Sequence, residues 1–497
     1  MANLIDTYID LQNLTDLLLY KPNNPLLFNT GLFLILFLGF LFVYQLLRRF
    51  KYLKMIFVIL FSLYFYYKSS AECCFILLGV AISDYILGNL LSKTKTTIWR
   101  KTIVAFNVMT NVGMLIYFKY FQLLVNTLAE FSAKEFDSLD IILPAGISFF
   151  TFRSISYIVD IYRGNMNAVK NPIEYIFCLT FFPPLLAGPV VRAKDLIPQI
   201  QANAQATRSM VSEGFYLIMC GLFKKIVIAD YICNNFVDRI FDNPSLYSGF
   251  ENLMGAYGFT LQLYCDFSGY SDMAIGIALL LGYRFLDNFN SPFKSQNPTE
   301  FWRRWHISLS SWLRDYLYIP MGGSRVSRFR SRLNLLNTMV LGGLWHGASW
   351  MFLIWGAWNG LLLIAHKEIK KIMPKIFSGV ALWKRPINIF ITFNLIAFGM
   401  IFFRAESMTQ VGEMLTQIST SFHASVIPQF VNGYTMIVVA MLVGFCLHFL
   451  PHSLTIKSQK LFNRCPLLIQ GLFLALMIFI VIQVRQSDIV PFIYLQY

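Results

Sequence analysis

Charged residues are scarce in this chain of 497 residues. Asp, Glu, Lys and Arg make up only 13% of it, whereas hydrophobic residues make up 56%. Soluble globular domains carry roughly 25% charged residues, so this composition excludes an ordinary soluble protein. The 48 phenylalanines, 25 tyrosines and nine tryptophans suit a lipid environment, where amphipathic rings settle at the headgroup level. We therefore expect a protein that crosses a membrane many times.

Motifs for several kinds of chemistry are missing as well. The sequence contains no GxxxxGK[ST] phosphate loop, no HExxH, no GxSxG and no dinucleotide fingerprint. Its eight cysteines show no CxxC spacing, and Cys178, Cys220 and Cys446 lie inside apolar runs, as small buried hydrophobes do. We therefore expect no metal site, no serine nucleophile, no disulfide framework and no tightly bound cofactor on this chain.

Acidic residues are fewer than basic residues, 26 against 41, which gives a net charge of +15. In a soluble protein this excess would suggest nucleic acid as a partner. Here the basic residues cluster in loops between apolar runs, as cytoplasmic loops beside anionic lipids do. We therefore expect membrane lipid, and no nucleic acid, among the partners.

Apolar runs near the length of a transmembrane helix, about 20 residues, recur along the chain. We predict an all-helical membrane protein with about 11 to 13 spanning or re-entrant helices. The predicted spans are 28–47, 55–71, 72–92, 102–126, 142–162, 172–191, 210–233, 253–282, 334–366, 386–403, 434–451 and 466–485. No internal repeat and no Gly/Ser-rich or Pro-rich linker divides residues 26–497, so we predict one membrane domain.

The first 25 residues differ from the rest. They lack a basic segment and place apolar residues at helical spacing with acids between them: Leu4, Asp6, Tyr8, Asp10, Leu11, Leu14 and Leu18. This pattern predicts an amphipathic interfacial helix instead of a signal peptide. The basic loops at 48–54, 93–101 and 366–385 predict cytoplasmic positions, which places both termini outside.

Polar residues interrupt the hydrophobic pattern between residues 262 and 350. An ionisable side chain at bilayer depth costs about 2.5 kcal/mol or more, so it usually faces a cavity or a partner. In QLYCDFSGYSDMA, Asp266 lies one helical turn from Tyr270, and Ser268 lies one turn from Asp272. Two interpretations stay open: a polar network that holds helices together, or the lining of a donor or acceptor path.

The next motif is NPTEFWRRWHISLSSWLRDYLYIPMGGSR, residues 297–325. Asn297 or Thr299 could cap a helix after Pro298. On one continuous helix His306 would follow Trp302 by about one turn. So many polar groups cannot all face lipid, and they require a funnel, a re-entrant segment or the interface. The candidate substrate-binding residues around His306 are Trp302, Arg303, Arg304, Trp305, Ser310, Arg314 and Asp315, with Asp266 from the preceding run.

The third motif is LGGLWHGASW, residues 341–350, which carries the lone imidazole of His346 in an apolar run. Its glycines would let a backbone or a ligand come close. A membrane histidine often only packs helices, but a neutral imidazole can also accept a proton from a hydroxyl or thiol. In this setting we predict that His346 is a general base and that Trp345 and Ser349 bind substrate. For His366, His423, His448 and His452 we expect interfacial or packing roles.

The two-histidine pattern resembles the membrane-bound O-acyltransferase superfamily, in the branch of the alginate O-acetyltransferase membrane subunit. The segments LPAGISFFTFRSISYIVDIYRG, FPPLLAGPVVR and PFIYLQY extend the resemblance over about residues 25–497. The resemblance implies that His346 matches the catalytic histidine and His306 the second histidine of the superfamily. It also implies a ring of helices around a polar funnel, and a partner of the SGNH-esterase type outside the cytoplasm.

In this family the implied reaction moves an acyl group, here acetyl, from a cytoplasmic thioester such as acetyl-CoA toward hydroxyls of an extracytoplasmic polysaccharide such as alginate. The implied location is the cell inner membrane. His306 could polarise the thioester carbonyl, orient the acceptor or share the proton. One alternative is D-alanyl transfer to teichoic acids from an acyl carrier protein. Another is a transporter or flippase, which predicts repeated halves that this sequence lacks.

Overall fold

A computed structural model describes residues 17–22, 25–132, 143–373, 383–484 and 492. Every regular element among these residues is a helix, which confirms the predicted all-helical fold. The helices pack into two compact units, residues 1–186 with 191–205, and residues 187–190 with 206–497. The interfacial helix predicted over residues 1–25 falls largely outside the described residues. The single-domain division and the ring around a funnel stay predictions.

The first unit is built around one buried helix. That helix, α6 (Ile147–Arg163), is buried along almost its whole length and packs against α3 (Cys74–Lys93) and α4 (Thr97–Leu115). A π-helical turn, Ile116–Tyr120, joins α4 to α5. The α-helices of this unit are α1 (Gly31–Leu46), α2 (Lys51–Ser70), α3 (Cys74–Lys93), α4 (Thr97–Leu115), α5 (Phe121–Ser132), α6 (Ile147–Arg163), α7 (Pro172–Thr180) and α8 (Ala193–Gln201).

The span predicted over residues 172–191 is wrong in its second half. α7 begins at the Asn171 cap, whose side chain accepts a hydrogen bond from the Ile173 amide, and it ends at Thr180. Pro183 and Pro184 follow within four residues, and proline cannot donate the backbone hydrogen bond that a continuing helix requires. The chain therefore continues through residues 181–192 as a buried non-helical segment.

The second unit centres on α11 (Gly249–Leu280), a buried helix of 32 residues. α9 packs against it at backbone distance, because a β-carbon on Gly221 would lie 2.6 Å from the Gly269 carbonyl oxygen. Two π-helical segments, Phe223–Asp230 and Cys233–Val237, follow α9. The α-helices of this unit are α9 (Arg208–Leu222), α10 (Asp238–Asp242), α11 (Gly249–Leu280), α12 (Pro298–Arg304), α13 (Ile307–Leu313), α14 (Arg328–His346), α15 (Trp350–Ile372), α16 (Lys384–Arg404), α17 (Met408–Thr420), α18 (Ile427–Gly433), α19 (Thr435–Phe449), α20 (His452–Arg464) and α21 (Leu467–Val484).

Several helices are long and apolar enough to cross a bilayer. Within the described ranges, length and hydropathy identify five such segments: Gly31–Arg49, Lys51–Lys93, Thr97–Glu130, Lys384–Arg404 and Leu467–Val484. The bent pair Ala424–Gly433 and Thr435–Phe449 would make six. Other predicted spans are shorter or more polar, such as α6 with 17 residues and α14 with three arginines. The larger predicted count and the orientation of the termini stay predictions.

Candidate active site

His306 lies at a break between two short helices. The Asn297 side chain caps α12 by accepting a hydrogen bond from the Glu300 amide. Of the two predicted caps, Asn297 and Thr299, the structure therefore has Asn297. α12 then ends at Arg304, and His306 has the left-handed backbone angles φ +41° and ψ +57°. The continuous helix predicted around His306 is therefore wrong. A left-handed non-glycine residue is uncommon and typical of functional sites.

Hydrogen bonds across the break hold this backbone in place. The Ile307 amide donates to the Asn288 carbonyl at 2.9 Å, and the Asn290 amide donates to the Arg304 carbonyl at the same distance. The Ser310 hydroxyl donates to the Trp305 carbonyl at 3.2 Å. The loop that contains Asn288 thus fixes the position of His306, and Ser310 supports the break.

Asn288 also determines which nitrogen of His306 carries the proton. The Asn288 side-chain oxygen accepts from the Ser308 backbone amide at 3.3 Å and from the Ser308 hydroxyl at 2.8 Å, so the atom facing these donors is Oδ1. The same oxygen lies 3.0 Å from Nδ1 of His306. Nδ1 must therefore be the donor, and in the neutral imidazole Nε2 bears the lone pair.

The other nitrogen of His306, Nε2, is a hydrogen-bond acceptor. The imidazole is fully buried, and its Nε2 atom has no hydrogen-bond partner among the described residues. A neutral ring with its proton on Nδ1 cannot donate a hydrogen bond from Nε2. This geometry favours acceptance of a proton or hydrogen bond over polarisation of a carbonyl.

His346 is the last residue of α14, and α15 begins four residues later at Trp350, with Ser349 at its N-cap position. The single span predicted over residues 334–366 is therefore wrong. As predicted for the glycines of this motif, two backbones come close: a β-carbon on Gly343 would collide with the Phe352 carbonyl oxygen. The break exposes one side of His346 to aromatic neighbours instead of a further helical turn.

Aromatic rings connect the two histidines. Trp345 lies with its ring centroid 5.0 Å from His346 and 5.9 Å from His306. Trp355 packs nearly perpendicular to His346 at 5.0 Å, and Trp302 contacts Trp355 at 5.9 Å. The structure thus brings together four predicted site residues, namely Trp302, His306, Trp345 and His346. Trp305 packs elsewhere, with its ring stacked on that of Phe301.

The rings also present unused hydrogen-bond donors. The indole nitrogens of Trp302 and Trp355 are buried and have no hydrogen-bond partner in the part of the chain that the structure describes. Trp355 is only 2% exposed. Because indole Nε1 can only donate, each of these groups would be satisfied by an acceptor such as a carbonyl oxygen.

A polar pocket of about 580 Å³ is lined by residues of α12 and of the second half of α15. Arg303 and Lys370 line it, and neither forms an ion pair with a described residue. Arg304 differs, since its guanidinium donates to Glu300 at 2.8 Å and to the Asn290 carbonyl at 3.2 Å. The remaining lining residues are polar, among them Asn297, Thr299, His366 and Asn388. The pocket therefore offers uncommitted positive charge.

Some predicted site residues have structural partners. Asp266 forms a buried ion pair with Lys225 at 2.6 Å, and Asp272 pairs with Lys224 at 2.6 Å. The within-helix partners suggested by sequence spacing are thus replaced by lysines of the π-helical segment, which bring a compensating charge. This favours the network interpretation of that run. Arg314 and Asp315 pair with each other at 2.7 Å on an exposed turn.

Sequence reasoning missed several residues of the site. Asn288 holds His306, Trp355 and Phe403 pack on His346, and His366 and Lys370 line the pocket. His366 was expected to be only interfacial, but its Nδ1 lies 2.8 Å from the Thr299 hydroxyl at the pocket wall. A polar residue in the loop ahead of the His306 motif was the available signal for Asn288.

Comparison with known proteins identifies similar chains. The model of the membrane-bound O-acyltransferase family matches residues 168–408. A protein of Pseudomonas aeruginosa named "Probable alginate O-acetylase" is 40% identical over 405 residues, which cover 80% of this chain and 75% of that protein. The peptidoglycan O-acetyltransferase of Helicobacter pylori is 34% identical over 427 residues, covering 78% and 79%. The teichoic acid D-alanyltransferase of Bacillus subtilis is 27% identical over 273 residues, covering 52% and 68%.

Proposed function

This chain belongs to the membrane-bound O-acyltransferase family, and from that premise we propose that it transfers acetyl groups toward hydroxyls of an extracytoplasmic polysaccharide. The relatives named for alginate and peptidoglycan acetylation are 40% and 34% identical to it, against 27% for the teichoic acid D-alanyltransferase. The observation that carries the proposal is the pair of buried imidazoles, His306 and His346, which share contact with Trp345.

In the proposed reaction His346 is the general base. It takes the proton from the acceptor hydroxyl while the hydroxyl oxygen bonds to the thioester carbonyl carbon. The carbon–sulfur bond then breaks, and the departing thiolate takes the proton from His346. General-base catalysis of this kind typically contributes about 10²- to 10⁴-fold in rate.

His306 supports this reaction as an acceptor. Its Nε2 lone pair can receive a hydrogen bond from the acceptor hydroxyl or share the proton with His346. The hydrogen bond to the thioester carbonyl oxygen would instead come from the indole N–H of Trp355. This indole packs on His346, and its N–H has no hydrogen-bond partner among the described residues. Of the three roles open for His306, orienting the acceptor and sharing the proton fit the geometry.

The acyl donor is proposed to be acetyl-CoA or another phosphate-bearing thioester. The pocket at α12 offers the uncommitted cations Arg303 and Lys370, which suit phosphate groups. Arg303 is adjacent in sequence to Trp302, Trp302 contacts Trp355, and Trp355 contacts His346. Lys370 lies in the basic segment predicted to be cytoplasmic, the side on which such a donor is found.

Two adjacent arginines provide a matched test of the donor pocket. Arg303→Ala is expected to raise the KM for acetyl-CoA about tenfold with little change in kcat, because a charge-assisted contact to phosphate is worth about 1.5 kcal/mol at a partly exposed site. Arg304→Ala is the comparison: Arg304 also lines the pocket, but Glu300 holds its guanidinium, so we expect a smaller rise in KM and a lower melting temperature. An unchanged KM in an Arg303→Ala, Lys370→Ala double variant would exclude the pocket as the phosphate site.

We further propose that an extracytoplasmic SGNH-type partner completes transfer to the polymer, and that the chain lies in the inner membrane. Oxygen acceptors outside the membrane are separated from a cytoplasmic thioester by about 30 Å of hydrocarbon, so the acyl group must cross. Label that reaches polymer only when such a partner is added would support this division. Equal transfer without it would refute the partner role.

The central experiment measures transfer of labelled acetyl from acetyl-CoA by the purified protein in nanodiscs. Wild type is compared with His346→Ala and His306→Ala, each checked for folding by thermal melting. We expect loss of at least about 100-fold for His346→Ala. Full transfer by a folded His346→Ala protein would refute the assignment. If the protein prefers D-alanyl or acetyl groups on a carrier protein over acetyl-CoA, the carrier protein is the donor instead. If a substrate crosses the membrane without acyl transfer, the protein is a transporter instead.

A further inference from the structure

The helix α20, His452–Arg464, connects two apolar helices of the second unit. α19 ends at Phe449 and α21 begins at Leu467, so only two residues separate α20 from each of them. α21 is long and apolar enough to cross a bilayer, and α19 is so together with the bent segment before it. A linker of two residues spans at most about 7 Å. Both ends of α20 therefore lie close to the ends of membrane-embedded helices.

α20 is too short and too polar to cross the membrane itself. Its 13 residues extend about 20 Å at 1.5 Å per residue, against about 30 Å of hydrocarbon. It also carries Lys457, Lys460 and Arg464, and a cation at bilayer depth is costly. Because the neighbouring helices hold both of its ends near the bilayer, α20 lies along the membrane surface.

One side of α20 packs on the protein. The Phe462 ring lies 5.7 Å from the Tyr216 ring of α9, and the Tyr216 hydroxyl is 2.8 Å from the Ser458 hydroxyl. The structure describes every residue of α20, and among them Phe462 is the only buried one. Most other side chains of the helix are exposed. The greater part of its surface thus faces away from the protein, toward the bilayer.

The exposed surface of α20 has two adjoining stripes. Lys457, Lys460 and Arg464 follow each other at intervals of three and four residues, so they share one face. All three are exposed, and none forms an ion pair with a described residue. Beside them lie Leu454 and Leu461, which are 47% and 68% exposed. Exposed leucines next to cations are typical of an interfacial helix, whose apolar stripe enters the acyl layer while the cations stay among the headgroups.

We propose that α20 binds anionic phospholipid, with Lys457, Lys460 and Arg464 at the headgroup phosphates and Leu454 and Leu461 in the acyl layer. The sequence of α20 contains no acidic residue, so the stripe carries three uncompensated positive charges. A zwitterionic headgroup brings a cation of its own and neutralises them less well than an anionic one. An acidic soluble protein would cover the cations but leave the leucines exposed.

This surface is separate from the acyl-transfer site. None of its residues belongs to the histidine cluster or lines the donor pocket. Its basic stripe suits the cytoplasmic leaflet, where basic residues of membrane proteins collect and meet anionic lipid. The lipid site can therefore be tested without measuring acyl transfer.

Photo-crosslinking in nanodiscs tests the lipid site. Benzoylphenylalanine replaces Leu461 in the full-length chain, in phosphatidylcholine nanodiscs with a minor share of phosphatidylglycerol. Mass spectrometry of the adduct identifies the captured lipid. One basic residue at a membrane surface favours an anionic lipid by about fivefold. We expect phosphatidylglycerol in the position-461 adduct to exceed its share of the bilayer by at least about threefold. The same probe at Leu476, 53% exposed near the middle of α21, is the control and should capture the two lipids in bilayer proportion.

Neutral variants connect this enrichment to the three cations. With all three basic residues of the stripe replaced by glutamine, the adduct should still form but contain phosphatidylglycerol only in its bilayer share. These substitutions are Lys457→Gln, Lys460→Gln and Arg464→Gln. The matched control removes three exposed cations elsewhere and should leave the enrichment intact. Its substitutions are Lys93→Gln, Lys95→Gln and Lys101→Gln.

Thermal melting confirms that each variant is folded. Added salt tests the charge without any substitution, since screening should weaken the enrichment in the wild-type chain. Bilayer proportions at position 461, enrichment that survives in the triple variant or in high salt, or the absence of a lipid adduct would overturn the proposal. So would an adduct with an acidic protein instead of lipid when the same probe is used in native membranes. None of these results depends on acyl transfer, so failure of the lipid site and failure of the proposed function are distinguishable.

Discussion

Replacing Asn288 by leucine removes the acceptor that holds the proton of His306 on Nδ1. The hydrogen bond between these two side chains is 3.0 Å long and buried. A neutral hydrogen bond of this kind contributes about 1 kcal/mol, and 1.4 kcal/mol corresponds to a tenfold change in population. Loss of the bond alone would therefore cost His306 roughly fivefold in the preference for the useful tautomer.

Two further effects add to this loss. The leucine leaves the Ser308 amide and hydroxyl without the oxygen that they share, so the backbone at His306 is no longer held from that side. Removal of a group that orients a metal-bound imidazole typically lowers activity by about 10- to 100-fold, and we expect a similar loss for His306. We expect kcat to fall within this range with KM for acetyl-CoA unchanged, because Asn288 does not line the donor pocket.

The Asn288→Asp variant separates orientation from simple damage. It keeps an oxygen for Nδ1, so most of the activity should remain. Its negative charge favours the imidazolium form of His306, so the acid limb of the pH profile of kcat should move to higher pH. Asn252→Leu is the stability control, since Asn252 is buried and donates to three backbone carbonyls outside the histidine cluster.

The assay is acetyl transfer in nanodiscs from pH 5 to 9, normalised to folded protein by thermal melting. The reasoning would be refuted if Asn288→Leu kept wild-type kcat. It would also be refuted if Asn288→Asp lost as much activity as Asn288→Leu without any shift of the profile. A large kcat loss in Asn252→Leu would show that stability, and not the tautomer, controls the rate.

Other substitutions have separate expected outcomes. Gly343→Val should lower stability by about 1–3 kcal/mol and reduce transfer, because its β-carbon would collide with the Phe352 carbonyl and push α15 away from His346; melting and kcat are measured together. Lys225→Met should cost about 3–5 kcal/mol, because the buried carboxylate of Asp266 and the half-buried one of Asp230 lose their cation; an unchanged denaturant midpoint would contradict this expectation. His448→Leu should destabilise by about 1–3 kcal/mol through the unpaired Phe293 amide, while kcat per folded molecule stays constant.

Local signals in the sequence were sufficient for some features of the site. The Asn297 cap depends only on residues up to three positions away in the chain. The sequence therefore predicts it as one of two alternatives, and the structure confirms it. The close approach at Gly343 follows from the absence of a side chain, which is visible in the sequence. The contact between the two histidine motifs was implied by family resemblance and not by spacing.

Other features depend on contacts between distant segments. The left-handed backbone of His306 is held by Asn288, 18 residues earlier, and nothing within the WRRWH motif itself demands a break. The partners of Asp266 and Asp272 are Lys225 and Lys224, more than 40 residues earlier on a π-helical segment that sequence periodicity cannot identify. A helical wheel drawn on a continuous helix therefore assigns the wrong neighbours.

The break after Arg304 explains why two adjacent arginines differ. At the end of α12, Arg304 is one turn after Glu300, and it uses its guanidinium to join that acid to the loop at Asn290. Arg303 lines the pocket and forms no ion pair with a described residue, because Glu300 in the same pocket pairs with Arg304. A guanidinium without a protein acid beside an open pocket is suited to a substrate anion. The end of α12 thus holds the loop that orients His306 and leaves a charge for the donor, so donor binding and the orientation of His306 depend on one helix end.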